Sequence, residues 1–160
     1  MDYLSQVPLT LATTIGGLAV GTTTTLTLAN DVQYAIKGKG YKKAAVSNTA
    51  TPTTDASTGS AFNAIATNYA GVFAICLDSA GALKVVQGSI VPYNDAGEFT
   101  GAAPQLPNVP DTLCPIGYEL VKVISTGSSW TFGSSNQASQ TGITKVLVDC
   151  FTLPARPQTS

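Results

Sequence analysis

Apolar and polar positions along this chain fall into short runs, most with the two-residue period of β-strands. The run at residues 72–77 is unbroken, of strand length, and meets no polar residue before Asp78, which predicts a central strand buried on both faces. Asp78-Ser79-Ala80-Gly81 predicts a turn, with the aspartate bonding nearby backbone and the glycine taking a positive φ. Residues 83–91 return as the second strand of a hairpin, with Leu83, Val85 and Gln87 on one face and Lys84, Val86 and Gly88 on the other. Alternation recurs at Val32, Tyr34 and Ile36, followed by a turn at Gly38-Lys39-Gly40 and a returning strand over residues 41–46. Residues 61–67 read as a weak strand or one helical turn, strand being preferred, with Phe62 in the core. Residues 116–126 place Tyr118, Leu120 and Lys122 opposite Glu119, Val121 and Val123. Residues 130–132 form a short aromatic strand. Residues 143–153 close the domain, with Val146, Val148 and Cys150 opposite Leu147, Asp149 and Phe151.

The segments between these runs are irregular. Residues 1–30 are rich in threonine and glycine and carry no charge except Asp2. They predict an extended N-terminal arm that orders on a neighbouring subunit, the alternative being a first strand with a loose leader. SNTATPTTDASTGS, residues 47–60, reads as a long polar loop, and residues 133–142 as another. Pro104, Pro107, Pro110 and Pro115 exclude regular ladders between them, so residues 92–115 should lie extended across the surface, anchored by Leu106, Val109 and Leu113. About eight short strands and no amphipathic helix predict an all-β fold, an antiparallel β-sandwich of jelly-roll-like arrangement. The expected organisation is an arm over residues 1–30, a sandwich domain over 31–153 and a loose or neighbour-docked tail over 154–160.

Composition changes this picture in one respect. Only 11% of the 160 residues are charged, against roughly 25% in ordinary soluble domains. Either much of the surface is covered by other subunits, or the exterior is neutral and hydroxyl-rich; sparse charge leaves little repulsion between copies. The net charge of −1 gives no support to a nucleic-acid partner or to an anionic membrane surface. No stretch reads as a transmembrane helix, and Met1-Asp2-Tyr3 lacks the basic start of a secretory signal, so synthesis in the cytoplasm is expected. Cys76, Cys114 and Cys150, odd in number and flanked by apolar residues, read as reduced buried thiols. Lys37, Lys39, Lys42 and Lys43 read as a solvated hairpin tip guarding an edge, or as a docking patch for an acidic protein surface.

Candidate chemistry is sparse. The chain contains no histidine, which excludes histidine-based triads and the common metal sites. Asp78, Asp111, Glu119 and Asp149 could be drawn together by folding, but their spacing carries no signature of paired acid catalysis. Trp130, Tyr69, Tyr93 and Tyr118 raise sugar binding, weighed against the commoner role of aromatics in a core or interface. The expectation is a protein that is not an enzyme, with no catalytic, cofactor or metal residues.

The blocks GVFAICLDSAGALKVVQGSIV, LPNVPDTLCPIGYELVKV, WTFGSS and ITKVLVDCFTLPARP give residues 32–157 a sequence style that resembles small structural proteins of tailed-bacteriophage virions, most of all capsid decoration, or cement, proteins. The resemblance implies a homo-oligomer, dimer or trimer, on the outside of the phage head, bridging neighbouring major capsid protein subunits. The alternative is a tail or fibre accessory module for attachment or host-surface carbohydrate recognition.

Overall fold

The computed structural model describes residues 9–157 and contains no helix among them. The strands are β1 (Leu11–Ala12), β2 (Leu18–Val20), β3 (Thr25–Leu28), β4 (Val32–Ile36), β5 (Lys39–Lys43), β6 (Val46–Ala50), β7 (Tyr69–Leu77), β8 (Leu83–Pro92), β9 (Cys114–Val123) and β10 (Ile143–Asp149). They form three antiparallel sheets, in the orders β10-β9-β7-β8, β1-β4-β5 and β2-β3-β6. The molecule is thus all-β and sandwich-like, as the alternation predicts.

The β7–β8 hairpin forms where its turn chemistry demands. The Asp78 carboxylate accepts from the Ala80 and Ala82 N–H groups at 2.9 Å, and Gly81 takes φ 75°. Along β7, Phe73, Ile75 and Leu77 enter the main core, while Val72, Ala74 and Cys76 point to the opposite face. Both faces are buried, which is why the run carries no polar residue. The main core joins all three sheets: Leu26, Leu28, Val32, Tyr34 and Ile36 meet Phe73, Val85, Val121 and Val123. At one end an aromatic cluster closes it, with Phe73 and Phe132 at 4.9 Å between ring centres and Trp130 edge-on to Phe132 at 5.7 Å. The opposite face is covered by the proline-rich strap, whose Leu106, Val109 and Leu113 are the anchors that the sequence predicts.

Several expectations need correction. Residues 9–30 are not an arm. Ala12, Leu18, Leu26 and Leu28 are core residues, β1 pairs with β4, and the Leu18 N–H donates to both Asp149 carboxylate oxygens at 3.1 Å. In TLTL the leucines point inward and the threonines outward, so this segment is strand with its own buried face. Residues 1–8 of the expected arm lie outside the described residues. Second, residues 47–60 are not a free loop: β6 takes the first part, and Asp55 pins the rest. Third, the β4–β5 turn is Lys37-Gly38, both at positive φ (51° and 77°), the mirror-image geometry that two-residue hairpins favour. Fourth, Pro115 lies inside β9 rather than before it. It sits where the β7–β9 register shifts, a bulge that tolerates the missing N–H. Fifth, residues 130–132 contribute a single bridge, Trp130 to Ile65, rather than a strand. At the C-terminus Leu153 packs on the outer face and Pro157 is buried, so the described part of the tail is docked on its own domain; residues 158–160 lie outside the described residues.

Candidate assembly surface

The two edges of the main sheet differ. On β8, the Ala56 N–H donates to the Val85 carbonyl and the Gln87 N–H to the Asp55 carboxylate, both at 2.8 Å. Farther along, the Ser89 N–H donates to the Gln105 carbonyl at 3.1 Å. This edge is therefore covered by the chain itself. Asp55 is the hinge pin: its other oxygen accepts from the Ser57 N–H, the Ser57 hydroxyl and the Thr58 N–H. Burial raises its pKa, and these donors, with Gln87, outweigh that effect and hold it below the usual value. β10 forms the other edge, with the short strand β2 beyond it.

Large apolar side chains stay exposed near that second edge, with Ile15 49%, Val20 42% and Phe151 48% exposed, while Leu9, 61% exposed, lies at the β4–β5 turn, where its carbonyl accepts from the Gly38 N–H at 2.9 Å. Two contacts tie the segments that carry Ile15, Val20 and Phe151 to the end of β10: the Ala12 N–H donates to the Phe151 carbonyl at 2.9 Å, and Asp149 holds Leu18. Val20 lines a recess of about 290 Å³ with Ile143, Thr144 and Lys145 of β10. The sequence placed Phe151 on a strand face but singled out none of the four. Leu9, Ile15 and Val20 lie in the segment whose composition predicts an arm.

The lysine tip is partly neutralised. Lys42 pairs with Asp31 at 2.7 Å, which with the Ala45 N–H lowers the Asp31 pKa, and Lys37 reaches Asp111 at 3.9 Å. Lys39 lies over the Tyr41 ring at 5.6 Å. The four acids named from sequence take separate roles. Asp78 builds its turn, Asp111 meets Lys37, Asp149 holds Leu18 and Glu119 is buried in the core. Trp130 and Tyr118 are fully buried and cannot offer a ring to a sugar. Tyr69 is exposed, beside an open recess of about 460 Å³ that it lines with Asn68, Tyr93, Asn94 and Asp95.

Among the described residues Glu119 is the fully buried acid; alternation along the chain tells its face but not its neighbours. It is 0% exposed and sits opposite Phe73 on β7. Burial pushes its pKa up to about 7, against the pull of Lys145 and the Gln137 amide. Burial equally lowers the Lys145 ammonium. The cysteines are free: burial pushes Cys76 far up, Cys114 to about 12 and Cys150 to about 11, so all three are protonated at neutral pH. Cys150 is half-buried rather than buried. Among the described residues no helix is long and apolar enough to cross a membrane. Comparison with known proteins finds no matching family model, no matching curated protein and no matching solved structure.

Proposed function

We propose that this chain is a structural virion protein that binds the outside of a phage head and stabilises it by bridging major capsid protein subunits, as a homo-oligomer. The observation that carries the reading is the contrast between edges. One side of the sandwich is sealed by its own loops, while Ile15, Val20 and Phe151 stay exposed near the other. A chain with only 11% charged residues resists contact with copies and partners weakly. The resemblance to decoration proteins supplies the partner. The mechanism is mechanical: each clamp across a subunit boundary removes apolar area from water at about 25 cal/mol per Å², and the small gains sum over a shell. Mixing the purified chain with heads that lack it tests the reading. It should co-sediment with them and raise their resistance to heat, and an Ile15→Ser, Phe151→Ser variant should do neither while keeping its fold. A chain that ignores heads would overturn it.

A second reading is a tail or fibre accessory module that recognises a host-surface carbohydrate. The exposed Tyr69 ring beside Asn68, Asn94 and Asp95 favours it, since an aromatic face with nearby amides and a carboxylate suits a sugar. Glycan-array binding lost on Tyr69→Ala would support this alternative.

A further inference from the structure

The β4–β5 hairpin ends in an edge that the described chain does not close. The Thr13 N–H donates to the Gln33 carbonyl at 2.8 Å, so the peptide groups of Gln33 and Ala35 serve β1. Those of Val32, Tyr34 and Ile36 therefore serve Lys43, Tyr41 and Lys39, which stand opposite them on β5. The N–H and C=O groups of Gly40 and Lys42 are left pointing away from the sheet, and β5 is the last strand in its order. Among the described residues no group bonds them. The approach is open: a Cβ on Gly40 would meet nothing within 4 Å. Beside it lies a recess of about 420 Å³ lined by Thr13, Gln33, Gly40 and Lys42. The edge is also held still. Val32, Tyr34 and Ile36 are buried, the Tyr34 and Tyr41 rings stack at 5.6 Å, and the Tyr34 hydroxyl donates to the Asp78 carbonyl at 2.7 Å.

Charge chooses what can fill this edge. Lys37, Lys39, Lys42 and Lys43 are half of the eight basic residues in the chain. Asp31 engages Lys42 and Asp111 reaches Lys37 at 3.9 Å, but Lys39 and Lys43 form no salt bridge among the described residues. Alternation puts Lys39, Tyr41 and Lys43 on one face of β5 and Lys42 on the other. A second β5 laid against this one would set lysine against lysine, so the edge rejects its own copy. A strand with carboxylates on both faces meets cations on both. We propose that the β5 edge takes an extended acidic segment of a partner protein as an added strand. Its main chain bonds the outward peptide groups of Gly40 and Lys42. Its carboxylates stand beside Lys39, Lys42 and Lys43, and an apolar side chain between them lies against Tyr41. The main-chain bonds supply affinity for any extended chain, and the lysines select an acidic one. This inference goes beyond a bridging role on a phage head, because it holds whichever particle carries the chain.

The probe is a short synthetic peptide with glutamates placed to meet Lys39, Lys42 and Lys43 and a valine to meet Tyr41, titrated into the full chain at low salt and followed by amide NMR. Exchange with solvent should slow at the Gly40 and Lys42 N–H groups. It should stay unchanged at Lys39, Tyr41 and Lys43, whose N–H groups β4 already engages. Gly40→Pro removes one outward donor and spares every lysine and the β4 ladder. It should weaken binding about tenfold, the worth of one hydrogen bond. Replacing Lys39 and Lys43 by glutamine should weaken binding and flatten its dependence on salt. A peptide that does not bind would overturn the proposal. So would binding that Gly40→Pro leaves unchanged, because charge alone would then explain it. Slow exchange at both groups before peptide is added would show the edge already filled, and would overturn it too. A chain that takes a thymidine oligonucleotide and not the peptide would contradict the choice of partner. The alternating pattern in the wild-type chain decides the matter even where a variant fails to fold.

Discussion

At the scale of single residues, two carboxylates decide the response to pH, in opposite directions. Asp55 has a folded pKa held below its ordinary value of 3.8 by four hydrogen bonds. Its contribution is therefore complete above about pH 4 and is lost as pH falls through the lowered folded value. Asp55→Ala removes acceptors from buried donors, including the Gln87 N–H, and should cost about 3 kcal/mol in urea unfolding at neutral pH. Glu119 runs the other way. Its folded pKa lies near 7 against an ordinary 4.5, so the native state holds a proton that the unfolded chain releases. Its contribution is full below about pH 4.5 and is lost as pH rises through 7. Glu119→Gln, which keeps the shape without the charge, should flatten the fall in stability between those values. A slope unchanged by the substitution would show that another group is responsible.

At the scale of elements, what could be read from the sequence was what is decided locally. The β7–β8 hairpin is set by Asp78 and Gly81, residues within its own turn, and the facing of β9 and β10 by simple alternation. The anchors of the proline-rich strap were legible because Leu106, Val109 and Leu113 are its larger apolar residues. The N-terminal strands were not. Leu18 is held by Asp149, 131 residues away, and no local signal announces such a partner. The same holds for residues 47–60, whose order rests on the distant Gln87 N–H. Glu119 could be assigned to a face, but the loop beside it has no period. The strap also explains a glycine. A Cβ at Gly88 would collide with the Gln105 carbonyl and the Val72 side chain. Gly88→Val should lift the strap from β8 and cost about 1–3 kcal/mol, read as faster proteolysis within residues 100–110.

At the scale of the whole molecule, a chain with so little charge keeps its edges quiet by unequal means. β8 is sealed by Asp55, Ala56 and Gln105, whereas the β10 side is bordered by exposed Ile15, Val20 and Phe151. Replacing Ile15 and Phe151 by serine should leave unfolding stability within about 0.5 kcal/mol each, because neither is in the core. The same replacements should reduce self-association in sedimentation velocity. Loss of the fold instead would mean that these side chains serve the domain and not its neighbours. The most direct test of a role on the phage head is the amount of this chain in purified particles, measured against the major capsid protein on a stained gel. The account predicts a fixed ratio of the same order as the capsid protein itself, and a mere handful of copies per particle, or none, would contradict it.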